Sequence, residues 1–144
     1  MAPSKLRIYH KLQIAAHRVQ KAADRAVFAA ARVSTAQAAV LSIVAAQGPT
    51  TQRAVARQLG LNESGMTAMT SRLLSMGLLE RLRDETDVRA WLLRLTAKGR
   101  AALKLIEPPF RGVNQIIERT LDKRELALLA EYLSRIANAF ETER

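Results

Sequence analysis

The sequence predicts a mainly α fold carrying a small two- or three-stranded antiparallel sheet, and three observations point to it. Alanine and leucine dominate while aromatics are scarce, with one Trp, two Tyr and three Phe, a composition that favours helices. Apolar residues recur at helical spacing through most of the chain. Between residues 78 and 95 the spacing changes to alternation around a charged stretch, which marks a hairpin. No internal repeat or low-complexity linker divides the 144 residues, so a single domain with its own core is expected.

Residues 4 to 32 form a long helical pattern with Ser4 as its cap. Leu6, Leu12, Ala15, Ala16, Val19, Ala22, Ala23, Ala26 and Val27 make its apolar stripe. So many alanines let another helix approach closely, either one of this chain or one of a partner. Val33-Ser34-Thr35 breaks the pattern, and Ser34 or Thr35 caps a second helix, Ala36 to Ala46. Val40, Leu41, Ile43 and Val44 are its apolar body, and Gly48-Pro49 ends it. Thr50 or Thr51 caps a third helix that runs to about Gln58 with Ala54, Val55 and Leu59 inward. Gly60 is placed to take the left-handed conformation after it.

Asn62 caps the fourth helix, and Glu63 in its first turn suits the positive end of the helix dipole. Met66, Met69 and Leu73, with Leu74 or Thr70, fall on one face and are the expected buried set. The opposite face carries Ser64, Gly65, Thr67, Ala68, Ser71 and Arg72. These side chains are short or polar, so the surface can approach base edges and phosphates without steric conflict. Gly77 ends the helix. Leu78 to Arg83 and Ala90 to Leu95 are the strands, joined by a charged loop without Gly or Pro. Thr96 caps a fifth helix, in which Pro108-Pro109 removes the bonds to the carbonyls of Lys104 and Leu105, so a kink or break is expected. Asp122 with Glu125 three residues on opens the last helix through a capping box. That helix carries Leu126, Leu129, Tyr132, Leu133, Ile136, Ala137 and Phe140.

Two short helices joined by a tight turn and followed by a charged hairpin are the layout of a winged helix-turn-helix, which sets one helix into the DNA major groove. Residues 34–100 make this lobe, and residues 1–33 and 101–144 supply N- and C-terminal helices that pair two copies. The formal charge of +10 agrees with a polyanion partner, since each neutralised phosphate releases counterions. Residues 1–34 hold seven Lys/Arg and one acid, residues 53–100 hold nine and five, and residues 101–144 hold seven and seven. The excess therefore sits on the first two thirds.

Several function classes drop out. Cysteine is absent, which excludes disulfides, thiolate metal sites and thiol redox switches. His10 and His17 are the only histidines, too few for a zinc enzyme or a Ser-His-Asp hydrolase. No nucleophile–base pair, Gly-rich phosphate loop or metal cluster is present, so no catalytic residue, metal or cofactor is expected. The N-terminal MAPSKLRIYHKLQ has no apolar core of a secretory signal, and no run reaches the length of a membrane span. A cytoplasmic protein without a membrane partner is expected.

The chain resembles the MarR family of transcriptional regulators over nearly its whole length. The resemblance rests on Leu61-Asn62-Glu63-Ser64-Gly65-Met66-Thr67 through Leu73, followed by Met76-Gly77-Leu78-Leu79-Glu80-Arg81. It rests also on Asp84, Asp87, Val88, Arg89 and Ala90, similar to the family's D-x-R wing signature, and on Leu95-Thr96 with Gly99. The resemblance implies a homodimer on a palindromic operator, with the recognition helix in the major groove and a wing arginine in the minor groove. It also implies release by a small phenolic or other anionic effector. The departures are Ala68, Gly65 and Val88, where longer, hydroxylated or basic residues are common, and the Pro108-Pro109 pair.

Within that frame Ser64, Thr67, Ser71 and Arg72 are the candidate base readers, with Gly65 and Ala68 on the same surface. Arg72 can alternatively hold phosphate only. Thr50, Thr51 and Gln52 sit where helix N–H groups hold a phosphate. Arg53 and Arg57 either assist there or are ordinary surface charge. Arg89 suits a narrow minor groove, with Asp87 orienting the loop. Arg7, His10, His17 and Arg18 either line a pocket for an anionic ligand or lie at a surface or interface. Trp91 either borders a pocket or anchors the wing. The expected function is a sequence-specific regulator of double-stranded DNA, read as a repressor. The alternative is a ligand-independent architectural DNA-binding protein.

Overall fold

Local capping chemistry sets most helix boundaries in the computed structural model, which describes residues 7–142. The Ser4 cap and the first helical residues, 4–6, lie outside them. Helix α1 spans Ile8–Ala31 and is closed by Arg32 in the left-handed region, whose N–H returns to the Phe28 carbonyl. Helix α2 spans Thr35–Gln47. Of the two capping candidates it is Ser34 that serves, in a capping box: its hydroxyl accepts from the Gln37 N–H and the Gln37 side chain accepts from its own N–H. Asp24 of α1 accepts a 2.8 Å hydrogen bond from the Thr35 N–H and so pins α2 to α1. That bond, with help from Gln20, holds the Asp24 carboxyl below the usual carboxylate range.

Strand β1 is only Thr50–Thr51, helix α3 is Gln52–Leu59 and helix α4 is Glu63–Ser75. Strands β2, Leu79–Arg83, and β3, Trp91–Leu95, form the hairpin. The sheet has three strands in the order β1-β3-β2, all neighbours antiparallel, with Thr50 opposite Leu93 and Leu79 opposite Leu95. Helix α5 spans Ala97–Thr120 and helix α6 spans Lys123–Glu141. Among the described residues the fold is thus six helices and one small sheet.

The chain forms two compact units, one up to Phe110 and one from Arg111. The first holds the hydrophobic core. Val27, Val33, Leu41, Val44, Val55, Met66 and Leu73 are buried there together with Leu79, Leu93, Leu95 and Ile106. Ile43, Met69 and Leu74, expected inside, are only partly buried against this cluster. In the second unit α6 opens with the expected Asp122–Glu125 capping box, and no residue of α6 is buried.

Of the kink or break expected in the fifth helix, the break is absent: α5 runs continuously from Ala97 to Thr120 with Pro108 and Pro109 inside it. The two prolines free only the carbonyls of Lys104 and Leu105, and both residues are exposed. Water can therefore satisfy those groups while the turns on either side keep their own bonds.

The start of α5 is tied to the end of α4. The Thr96 hydroxyl donates to the Gly77 carbonyl at 2.5 Å and accepts from the Gly99 N–H at 3.0 Å. The Lys98 ammonium donates to the Met76 carbonyl at 2.8 Å. Gly99 is required by this close approach, because a Cβ there would lie 2.1 Å from the Leu78 carbonyl oxygen.

Candidate nucleic-acid interface

The site is built on α3, its turn and α4. Thr51 caps α3 by accepting from the Ala54 N–H at 3.1 Å, while Thr50 donates to the Gln47 side chain at 3.2 Å. Gly60 closes α3 with φ of 67°, a conformation that costs glycine no Cβ clash. Asn62 caps α4, its Oδ1 accepting from the Gly65 N–H at 2.8 Å and from the Ser64 hydroxyl at 3.1 Å. A Cβ at residue 65 would stand 3.1 Å from that oxygen. The glycine that departs from the family pattern therefore gives the cap room.

Met66, Thr70 and Leu73 form the buried face of α4. The Thr70 hydroxyl is buried without a hydrogen-bond partner. The other face is exposed at Ser64, Gly65, Thr67, Ala68, Ser71 and Arg72, as the sequence predicts. Not all of its hydroxyls are idle. Thr67 donates to the Glu63 carbonyl and accepts from the Gln52 side chain, both at 2.9 Å. Gln52 thus meets the middle of α4 rather than standing alone at the start of α3. Beside it Gln52, Arg53, Ala56, Arg57, Leu61, Glu63 and Met66 line an open cavity of about 330 Å³.

The wing loop, residues 84–90, is internally bonded. The Asp84 carboxylate accepts from the Thr86 hydroxyl at 2.7 Å and its N–H at 2.9 Å, which hold this carboxyl below the usual range. Asp87 Oδ1 accepts from the Arg89 N–H at 3.0 Å, and the Ala90 N–H donates to the Asp87 carbonyl at 3.0 Å. Arg83 donates to the Val88 carbonyl at 2.6 Å and stacks its guanidinium 4.5 Å from the Trp91 ring centroid. Arg83 and Trp91 face each other across the ladder. Trp91 therefore stacks with Arg83 at the base of the wing loop. Sequence reading missed Arg83; its strand-end position opposite an aromatic is the signal that finds it.

Arg94 forms an ion pair with Glu80, at 2.7 Å. Arg53, Arg57, Arg72 and Arg89 are exposed, and among the described residues no ion pair with a carboxylate is seen for any of them. Each is available to an anion.

Arg7, His10, His17 and Arg18 are all exposed on or just before α1. A second cavity, about 390 Å³, is lined by Gln20, Thr35, Ala36, Ala38, Ala39, Ser42 and Phe110, and by none of those four. No group of three or more His, Asp or Glu among the described residues is arranged to hold a metal.

The model of the MarR family matches residues 33–91. No curated protein matches the sequence. The PcaV transcriptional regulator from Streptomyces coelicolor is similar at 30% identity and TM-score 0.72, the match covering 90% of this chain and 97% of that one. The same regulator with its natural ligand matches at 28% identity and TM-score 0.74, covering 96% and 94%. CouR, a transcriptional repressor bound to a 23-mer DNA duplex, matches at 27% identity and TM-score 0.85 over 95% of this chain and 96% of that one. A mutant MarR from E. coli complexed with operator DNA matches at 25% identity and TM-score 0.75, covering 88% and 93%.

Proposed function

The chain belongs to the MarR family, and on that premise we propose that it is a transcriptional regulator that binds double-stranded DNA sequence-specifically. It acts as a homodimeric repressor on a palindromic operator, in the cytoplasm, and a small anionic or phenolic ligand releases it. The observation that carries the reading is the exposed α4 face of small and polar side chains, set among arginines without carboxylate partners. A helix with such a face fits the major groove. The first turn of α3, at Thr51 and Gln52, offers N–H groups to a phosphate. Arg89 enters the minor groove from a wing that Asp87 and Arg83 hold in shape.

Similar chains support this. CouR and E. coli MarR are DNA complexes, and PcaV holds its natural ligand. The homodimer accounts for apolar surface that each unit leaves uncovered. In the first unit Ile8, Tyr9, Ile14, Val19 and Phe28 of α1 are exposed; in the second, Leu129, Tyr132, Leu133, Ile136 and Phe140 of α6 are exposed. A second copy covering these helices also supplies the second recognition helix that a palindrome requires. No single helix among the described residues is long and apolar enough to cross a membrane.

Arg89→Ala tests the wing. Its affinity for a selected duplex should fall about tenfold, and the slope of log K against log salt should flatten by about one contact. An unchanged affinity and slope would remove Arg89 from the interface. A thermal-shift screen of phenols and aromatic carboxylates, with and without DNA, tests the effector: a ligand that stabilises the protein and weakens DNA binding is the expected result.

A further inference from the structure

Gln52 is one of two partners in a contact that fixes its chemistry. The Thr67 hydroxyl hydrogen is committed to the Glu63 carbonyl at 2.9 Å, the ordinary bond of a threonine to the turn below it. Toward Gln52 the hydroxyl can then only accept. The 2.9 Å contact is therefore a donation from Nε2, and it sets which way the amide faces. Nε2 is held against α4, and one N–H together with the Oε1 acceptor is left over. The contact lies at the surface: Thr67 is on the exposed face of α4, and half-buried Gln52 also lines the cavity bearing Arg53 and Arg57.

We propose that Gln52, oriented by Thr67, reads an adenine in the major groove, as a specificity-determining residue of the DNA-binding site. An amide edge offering one donor and one acceptor complements adenine N7 and N6, which offer one acceptor and one donor. Without Thr67 the amide can flip and present the reverse pattern, or rotate away, so the selectivity belongs to the pair. The assignment rests on the DNA-binding reading above. It moves Gln52 from holding phosphate to reading sequence, and makes Thr67 its positioning residue.

The test starts from a duplex selected by the wild-type protein from a random library. Binding is then measured to duplexes with each base pair changed in turn, and to one with 7-deaza-adenine at each A. One A·T position per half-site should lose about five- to a hundredfold on substitution or on loss of N7, the worth of one bidentate pair. Gln52→Ala and Thr67→Val should abolish the preference at that position alone, keeping the salt slope and the other positions. Thr67→Ser, which keeps the hydroxyl, should restore it. Equal weakening of Gln52→Ala on every duplex, or no change, would overturn the assignment while leaving DNA binding standing. Thermal unfolding of each variant identifies any loss due to misfolding. A misfolded Gln52→Ala is replaced by Gln52→Met, which keeps the length, lacks the amide and should show the same single-position loss. A folded wild type that selects no duplex would overturn the DNA-binding reading, and this assignment with it.

Discussion

Helices α4 and α6 are both amphipathic, yet they stand differently in the molecule. In α4 Met66, Thr70 and Leu73 are buried in the core of their unit, and the outer face is polar. In α6 nothing is buried, and Leu129, Tyr132, Leu133, Ile136 and Phe140 remain between 36% and 72% exposed. The contrast separates two ways of using a helix. Because α4 is stabilised from behind by its own chain, its exposed face is free to be chosen for chemistry. The apolar face of α6 has the spacing of a core stripe without a core within its unit, and such a face must find cover to repay its exposure.

Leu73→Ala addresses the first half of that contrast and carries the largest expected effect. It should cost about 3–5 kcal/mol in thermal or denaturant unfolding, as for other large-to-small changes in packed cores. A cost below ~1 kcal/mol would mean that α4 is not anchored as described. The paired change Leu133→Lys with Ile136→Lys addresses the second half. Self-association measured by sedimentation should weaken by roughly a hundredfold or more, from two apolar side chains lost to burial and two like charges introduced. An unchanged assembly would put the proposed dimer surface elsewhere. Thr70→Val is the smallest step and sharpens the comparison on α4 itself. It keeps the shape and removes a buried hydroxyl that lacks a partner, so stability should rise by about 1 kcal/mol. A fall in Tm would show that the hydroxyl has a role the packing does not reveal.

What the sequence makes legible follows the range of the interactions. Asn62, Gly60, Thr96 and the Asp122–Glu125 box act within three or four residues, and each is found where its chemistry predicts. The Ser34–Gln37 capping box has the same short-range signature and is readable in hindsight from Ser34-x-x-Gln37. Strand β1 is two residues long, too short for any periodicity, and exists because Thr50 and Thr51 pair with Leu93 and Leu92. Fifteen residues separate Gln52 from Thr67, so no local pattern reports their contact. At Pro108-Pro109 the kink-or-break rule is too coarse: the break does not occur. The local rule counts the lost bonds correctly, but exposed carbonyls can turn to water, and the flanking turns carry the helix through. The exposed α4 face is legible as a surface; which of its groups are already engaged is not, since that depends on the helix lying beside it.

A hydroxyl-radical footprint on a duplex selected by the wild-type protein tests the central claim most directly. Two copies that each present α4 and a wing should protect two half-sites about 10–10.5 base pairs apart, centre to centre, or a multiple of that spacing, related by a dyad. Protection of a single half-site, or none at concentrations where the protein is folded and self-associated, would contradict it.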